Sequence, residues 1–178
     1  MTGVQTCALP IYRNVSGIVL FGKTSKGASR LSEQFRSREI KKIYHAVIEG
    51  EVKPISGTLI HYLKKDEDRK IALVSDTPKP DYDRSELSYK TLLHTANYSL
   101  LSILLKTGRF HQIRAQFSAI DHPIVGDTKY LPVGRQVVHL KDGSIALCST
   151  EVEFKTATTD EIKNIKIDYP SNWEKYLK

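Results

Sequence analysis

The apolar positions of the chain fall into short runs separated by charged and turn-forming stretches. VSGIVLFG, residues 15–22, is almost continuously apolar and ends in glycine, which predicts a buried strand. Beyond it Thr24 or Ser25 can cap a helix whose apolar positions Ala28, Leu31 and Phe35 step by three and four. A basic run, RSREIKK, leads from that helix into a second strand, IYHAVIEG, closed by Gly50. Residues 51–84 are polar and turn-rich, with KKDEDRK and TPKPDYDR as the clearest loops, and predict a hairpin arm or surface excursion. Two strands follow at Glu86–His94 and Tyr98–Lys106, on either side of a turn at Ala96–Asn97. A helix over Phe110–Ile120 comes next, then a loop through Pro123, Gly126 and Asp127, a strand over Ser144–Phe154 and a short helix after Pro170. No segment repeats. Strand pairs on short turns with a few helices predict an α+β domain, a mixed and mainly antiparallel sheet with flanking helices.

Composition narrows the class. With 178 residues, 40% of them apolar, the chain can bury one core of ordinary size. No apolar run approaches the roughly 18 residues that span a bilayer, and no charged segment leads into an apolar signal-like stretch. Cys7 and Cys148 are too few for a disulfide framework or a zinc site, which fits a reducing, cytoplasmic setting. The formal net charge of +7 attracts polyanions, nucleic acid first among them. Solvated lysine faces produce the same excess, so charge alone leaves both readings open.

The densest chemistry lies in TGRFHQIRAQFSAIDHPIVGDTKY, residues 107–130. Thr107 and Gly108 turn a strand tightly into a helix. On that helix Ile113, Phe117 and Ile120 share one face and should pack inward, while His111, Arg114 and Ser118 lie on an adjacent face. Arg109, His111 and Arg114 can therefore cluster near a helix N-terminus, where backbone N–H groups also favour an anion. Ordinary surface arginines are the bland alternative for each residue singly, but they explain the whole string poorly. Arg36, Arg38, Lys41 and Lys42 form a second basic cluster between helix and strand. A solvated patch and a contact with RNA phosphates are equally compatible with it. His45, His61 and His122 have no neighbours at metal-ligand spacing and read as architectural, and no metal or cofactor is expected.

GRFHQIR followed by HPIVGDTKY resembles the third signature segment of the RluA-type pseudouridine synthases. RNVSGIVLFGKT is similar to the part of that family's first segment that follows its aspartate. KKIYHAVIEG is similar to the strand K-x-Y-x-A-x-V-x-G that carries the family's tyrosine. The resemblance implies a pseudouridine synthase-like catalytic domain over residues 12–178, acting on uridine in rRNA or tRNA as a monomer, without cofactor or metal. Tyr44 would pack against the target uracil and Arg114 would partner the catalytic carboxylate. Arg109, His111 and Gln112 would line or support the pocket, with Lys129 and Tyr130 in supporting positions. Gln116, where the family commonly has histidine, and LCS at 147–149, where it often has LHA, are departures away from the chemistry.

The resemblance also exposes a gap. Counting back from RNVSG, the family's catalytic aspartate belongs at position 12, where this chain has Tyr12. That carboxylate attacks C1′ of the ribose or takes a proton from C2′ while the N1–C1′ bond breaks. The base then turns and rejoins through C5. Met1–Ile11 match the translation of a common sequencing-library adapter, with one T left over. That T in place of the first base of GAT or GAC yields a tyrosine codon. Met1–Ile11 are accordingly expected to be non-native sequence, joined to a domain whose N-terminal part is missing. The chain as written is expected to be inactive, with Arg114 left without its ionic partner. A catalytically silent RNA-binding protein on the same fold is the alternative. A phosphate-ester enzyme using the Arg109–Arg114 cluster lacks a nucleophile or metal constellation.

Overall fold

The structure is a computed structural model that describes residues 14–156 and 159–178; the expectations for Met1–Ile11, Cys7 and Tyr12 fall outside these residues. Among the described residues, one eight-stranded sheet organises the domain. In chain order its strands are β1 (Ser16–Gly17), β2 (Lys41–Glu49), β3 (Ser56–Asp66), β4 (Ile71–Ser75), β5 (Asp83–His94), β6 (Tyr98–Leu105), β7 (Leu147–Lys155) and β8 (Ile162–Lys166). The helices α1 (Ser25–Arg36) and α2 (Gln112–Ala119) and a 3₁₀ segment, Ser171–Tyr176, complete the domain. Across the sheet the order is β1-β7-β2-β6-β5-β3-β4, with β8 also paired to β7. Among the described residues every strand pairing is antiparallel except that of β1 with β7, so the sheet is mixed and mainly antiparallel within an α+β fold.

The central strands are the most apolar. β2 pairs with β6 from Lys42↔Leu105 to Glu49↔Tyr98 and with β7 on its other edge. Ala46, Val47, Ile48, Leu101 and Ile103 are fully enclosed in the resulting core, together with Ile113 and Phe117 of α2 and Trp173 of the 3₁₀ segment. The i, i+4 pair Ile113 and Phe117 is what seats α2 on the sheet. The Phe117 ring meets Tyr89 of β5 edge-on at 5.8 Å between centroids. α1 begins as its cap chemistry requires, the Thr24 side chain accepting from the Gly27 N–H at 3.0 Å. Its Leu31 and Phe35 pack on Leu20, Ile40 and Val152. Gln34 clamps the end of β7, donating to the Lys155 carbonyl at 2.9 Å and accepting from the Lys155 N–H at 2.8 Å.

Two segments depart from the pattern-based expectation, and a third takes one of its two expected forms. VSGIVLFG forms only the two-residue β1: Gly17 adopts φ +119° beside the Ser149 backbone, where a Cβ would lie 2.4 Å from backbone atoms. Leu20 is buried, while Phe21 stays 53% exposed. Residues 51–84 form the hairpin rather than the excursion, and it belongs to the main sheet: β3 pairs with β5 from Ser56↔Lys90 to Leu63↔Asp83 and turns at Asp66–Lys70 into β4. The KKDEDRK string is thus the tip of a hairpin belonging to the main sheet; the Asp66 carboxylate caps the turn by accepting from the N–H groups of Asp68 and Arg69. β8 was not anticipated, because an edge strand exposed along its whole length leaves no burial pattern in the sequence. Among the described residues, no helix is long and apolar enough to cross a membrane.

Candidate active site

A cavity of about 680 Å³ opens where β1, the end of α1, β2 and the β6–α2 turn meet. β2 directs Tyr44 and Lys42 into it; residues two apart on a strand share a face, and Lys41, one position out of phase, is exposed and lies outside the lining. The β6–α2 turn contributes Arg109, His111, Gln112 and Arg114, and the end of α1 adds Arg36 and Arg38 at the rim. The structure therefore gathers two basic clusters that are more than 60 residues apart in the chain, with Lys41 as the exception. Tyr12 is outside the described residues. Among the described lining residues, Arg36, Arg38, Lys42, Lys106, Arg109 and Arg114 are cationic and none is a carboxylate. Such a wall attracts anionic ligands and repels none of their charge.

Arg114 is held by a buried network. Its Nε and Nη2 donate to the two carboxylate oxygens of Asp127 at 2.6 and 2.7 Å, a bidentate pair in which Asp127 is 1% exposed. Asp127 Oδ1 also accepts from the N–H groups of Lys129 and Tyr130 at 3.0 and 3.2 Å. The guanidinium lies 5.0 Å from the centre of the Tyr130 ring. The expectation that Arg114 would lack an ionic partner is therefore corrected: Asp127 fills that role, and the loop that carries it closes over the helix. Arg114 Nη1 lies 3.3 Å from His111 Nε2. Arginine can only donate, so Nε2 accepts and His111 carries its proton on Nδ1, which donates to the Tyr130 hydroxyl at 2.9 Å. Burial first, and then the Arg114 charge, push the His111 imidazole down to about 4 and keep it neutral. One N–H on each of Nη1 and Nη2 has no acceptor among the described residues, so Arg114, which lines the cavity, can still receive a second anionic group.

The turn preceding α2 is fixed by Gln112. Its Oε1 accepts from the Thr107 hydroxyl at 2.9 Å and from the Arg109 N–H at 3.0 Å, and its Nε2 donates to the Glu86 carbonyl at 3.1 Å. Gln112 supports the wall rather than presenting a donor to the cavity. α2 starts at Gln112, two residues later than its periodicity suggests, because His111 takes φ +51° and stacks its ring on Phe110 at 3.9 Å. Arg109 reaches Asp83 at 3.2 Å, and its buried Nε lacks a partner among the described residues. Gln116 is buried on the far side of α2, donating to Leu59, His61 and Ser85 of the sheet, away from the cavity. Lys129 donates its ammonium to the Lys70 carbonyl at 2.9 Å and so ties the motif to the β3–β4 hairpin. Sequence reasoning overlooked Asp127. The available signal was physical: an arginine on a helix face destined for burial needs an acid, and Asp127 is the acid at the centre of HPIVGDTKY.

A family model described as RNA pseudouridylate synthase matches residues 11–119. The chain is 30% identical over 176 residues to the tRNA pseudouridine synthase C of Pectobacterium carotovorum subsp. carotovorum, covering 91% of this chain and 46% of that protein. It is 26% identical over 167 residues to the ribosomal large subunit pseudouridine synthase D of Borreliella burgdorferi, covering 93% of this chain and 49% of that one. The chain thus spans about half the length of these curated relatives. The solved structure of human RNA Pseudouridylate Synthase Domain Containing 1 shares the fold with a TM-score of 0.78 at 20% identity, over 94% of this chain and 70% of that one.

Proposed function

The chain belongs to the RNA pseudouridylate synthase family, and from that premise we propose that its cavity is the uridine pocket of an enzyme that isomerises uridine to pseudouridine in rRNA or tRNA. One observation carries this reading: Tyr44 and Arg114, drawn from two distant motifs, line a single cavity whose described walls hold cations and no carboxylate. The target base leaves its stack and enters the pocket, which costs a few kcal/mol that the pocket must return. Tyr44 offers a ring face to the uracil, and the basic rim formed by Arg36 and Arg38 meets the RNA backbone. Arg114, locked by Asp127 and His111, presents its remaining N–H donors where an ionised carboxylate beside the ribose would stand. A preorganised guanidinium keeps such a carboxylate charged and oriented. Tyr12 occupies the family's position for that carboxylate, so the chain as written binds RNA without isomerising it.

Mapping pseudouridines in rRNA and tRNA of the source cells, with and without the gene, tests the assignment. Loss of modification at a defined uridine supports it, and an unchanged map in both RNAs contradicts it. Tyr12 itself favours a second reading, a catalytically silent RNA-binding protein. Sequencing the source locus through codon 12 separates the two: an aspartate codon supports the enzyme, and a native tyrosine codon supports the silent binder.

A further inference from the structure

Most cations of the cavity are already engaged. Arg36 pairs with Glu33, Lys106 with Glu86, Arg109 with Asp83 and Arg114 with Asp127. Lys42 differs. It is partly buried and lines the cavity, yet neither a carboxylate nor any other hydrogen-bond acceptor reaches its ammonium among the described residues. Its position is nonetheless defined. The ammonium sits 5.4 Å from the centre of the Phe35 ring, which covers it from α1. On the other side it abuts Gly108, where even a Cβ would stand 3.3 Å from Nζ. Glycine at 108 thus leaves the space that the lysine head occupies. A half-buried, oriented ammonium without a counter-charge among the described residues is unfavourable in the free protein, and burial lowers its affinity for the proton. An anion arriving with the ligand removes that penalty.

The strand geometry indicates which anion. Lys42 and Tyr44 lie two residues apart on the same face of β2, about 7 Å between Cα atoms for an extended strand. That separation is comparable to the distance between a nucleobase and the phosphate of its own nucleotide. We propose that Lys42 is a phosphate subsite, in which its ammonium binds one of the two phosphodiesters flanking the uridine whose base lies against Tyr44. This rests on the uridine-pocket reading above. Lys42 would fix the register of the strand, so that the base enters only when its own phosphate is seated between Phe35 and Gly108.

A short RNA containing one uridine within oligoadenylate, and versions carrying a neutral methylphosphonate 5′ or 3′ of that uridine, provide the probe. Binding is measured for the chain as written and for Lys42→Met, which keeps the apolar stem over Phe35 and is checked for an unchanged unfolding midpoint. Neutralising the correct linkage should weaken binding to the parent chain about tenfold, the worth of a charge-assisted hydrogen bond. Lys42→Met should show a similar loss with the charged strand and no further loss when that linkage is neutral. Its salt dependence should also fall by about one phosphate contact. Additive losses, with Lys42→Met as sensitive to the neutral linkage as the parent, overturn the phosphate subsite while leaving the uridine pocket intact. If the uridine strand binds no better than oligoadenylate alone, the pocket reading fails, and the subsite with it.

Discussion

Replacing Asp127 with asparagine keeps the side chain's shape and one carbonyl oxygen but removes the charge that balances Arg114. Arg114 is 8% exposed and Asp127 1% exposed, so water cannot take the place of the lost carboxylate. Of the two guanidinium bonds, at 2.6 and 2.7 Å, one is lost because the new amide NH₂ faces a donor, and the other loses its charge assistance. Breaking a buried pair from one side costs about 3–5 kcal/mol. That is a large share of the roughly 5–15 kcal/mol that stabilises a domain. Arg135 and Asp121 provide the comparison: their pair is as short, 2.6 Å, but Asp121 is 73% exposed, and Asp121→Asn should change stability by no more than about 1 kcal/mol. Urea unfolding followed through the single tryptophan, Trp173, which is fully buried, reads both variants. Adding Arg114→Met to Asp127→Asn should recover part of the loss, since no stranded charge remains. Equal small losses for Asp127→Asn and Asp121→Asn would refute the claim that a buried ion pair holds Arg114.

Two further outcomes follow from the same contacts. His111 stays neutral down to about 4 in the folded chain against an ordinary 6.5, so between those values the unfolded chain binds more protons. Stability should therefore rise with pH from about 4 to 6.5 and flatten above, with a slope from this group of at most about 1.4 kcal/mol per pH unit. His111→Asn, which tolerates the left-handed backbone, should reduce that slope; an unchanged slope would show that other groups cause it. Gln34→Ala removes both hydrogen bonds to the Lys155 backbone and should lower stability by about 1–3 kcal/mol, read from the urea midpoint. A change within error would mean that solvent replaces the clamp.

The sequence made the central strands legible because they are buried on both faces and read as continuous apolar runs, and α2 legible because its core residues step by four. Ala46, Val47 and Ile48 with Leu100, Leu101 and Ile103 announce β2 and β6; Ile113 and Phe117 announce α2. The polar strands were opaque for the opposite reason. β3 reads SGTLIHYLKKD, with only His61 and Leu63 buried, and becomes a strand through its pairing with β5 rather than through its own pattern. VSGIVLFG failed in the other direction: continuous apolar character suggested a strand, yet only Ser16 and Gly17 pair in register with β7, Ile18 adding one hydrogen bond to Ser149. The site divided along similar lines. Arg109, His111 and Arg114 could be grouped by helical spacing, whereas their union with Tyr44 and Lys42 depends on β2 pairing beside β6, a long-range contact that no local pattern encodes. Asp127 was hidden because a loop residue has no period, and only the accounting of buried charge points to it.

The central claim is that this pocket isomerises uridine once a carboxylate stands at position 12. The direct measurement is pseudouridine formation, detected by chemical labelling, in rRNA and tRNA transcripts incubated with the chain as written and with Tyr12→Asp. The account predicts no pseudouridine from the chain as written, formation at a defined uridine with Tyr12→Asp, and loss of that product when Arg114→Met is added. Product from the chain with Tyr12 in place, or none from Tyr12→Asp, would contradict it.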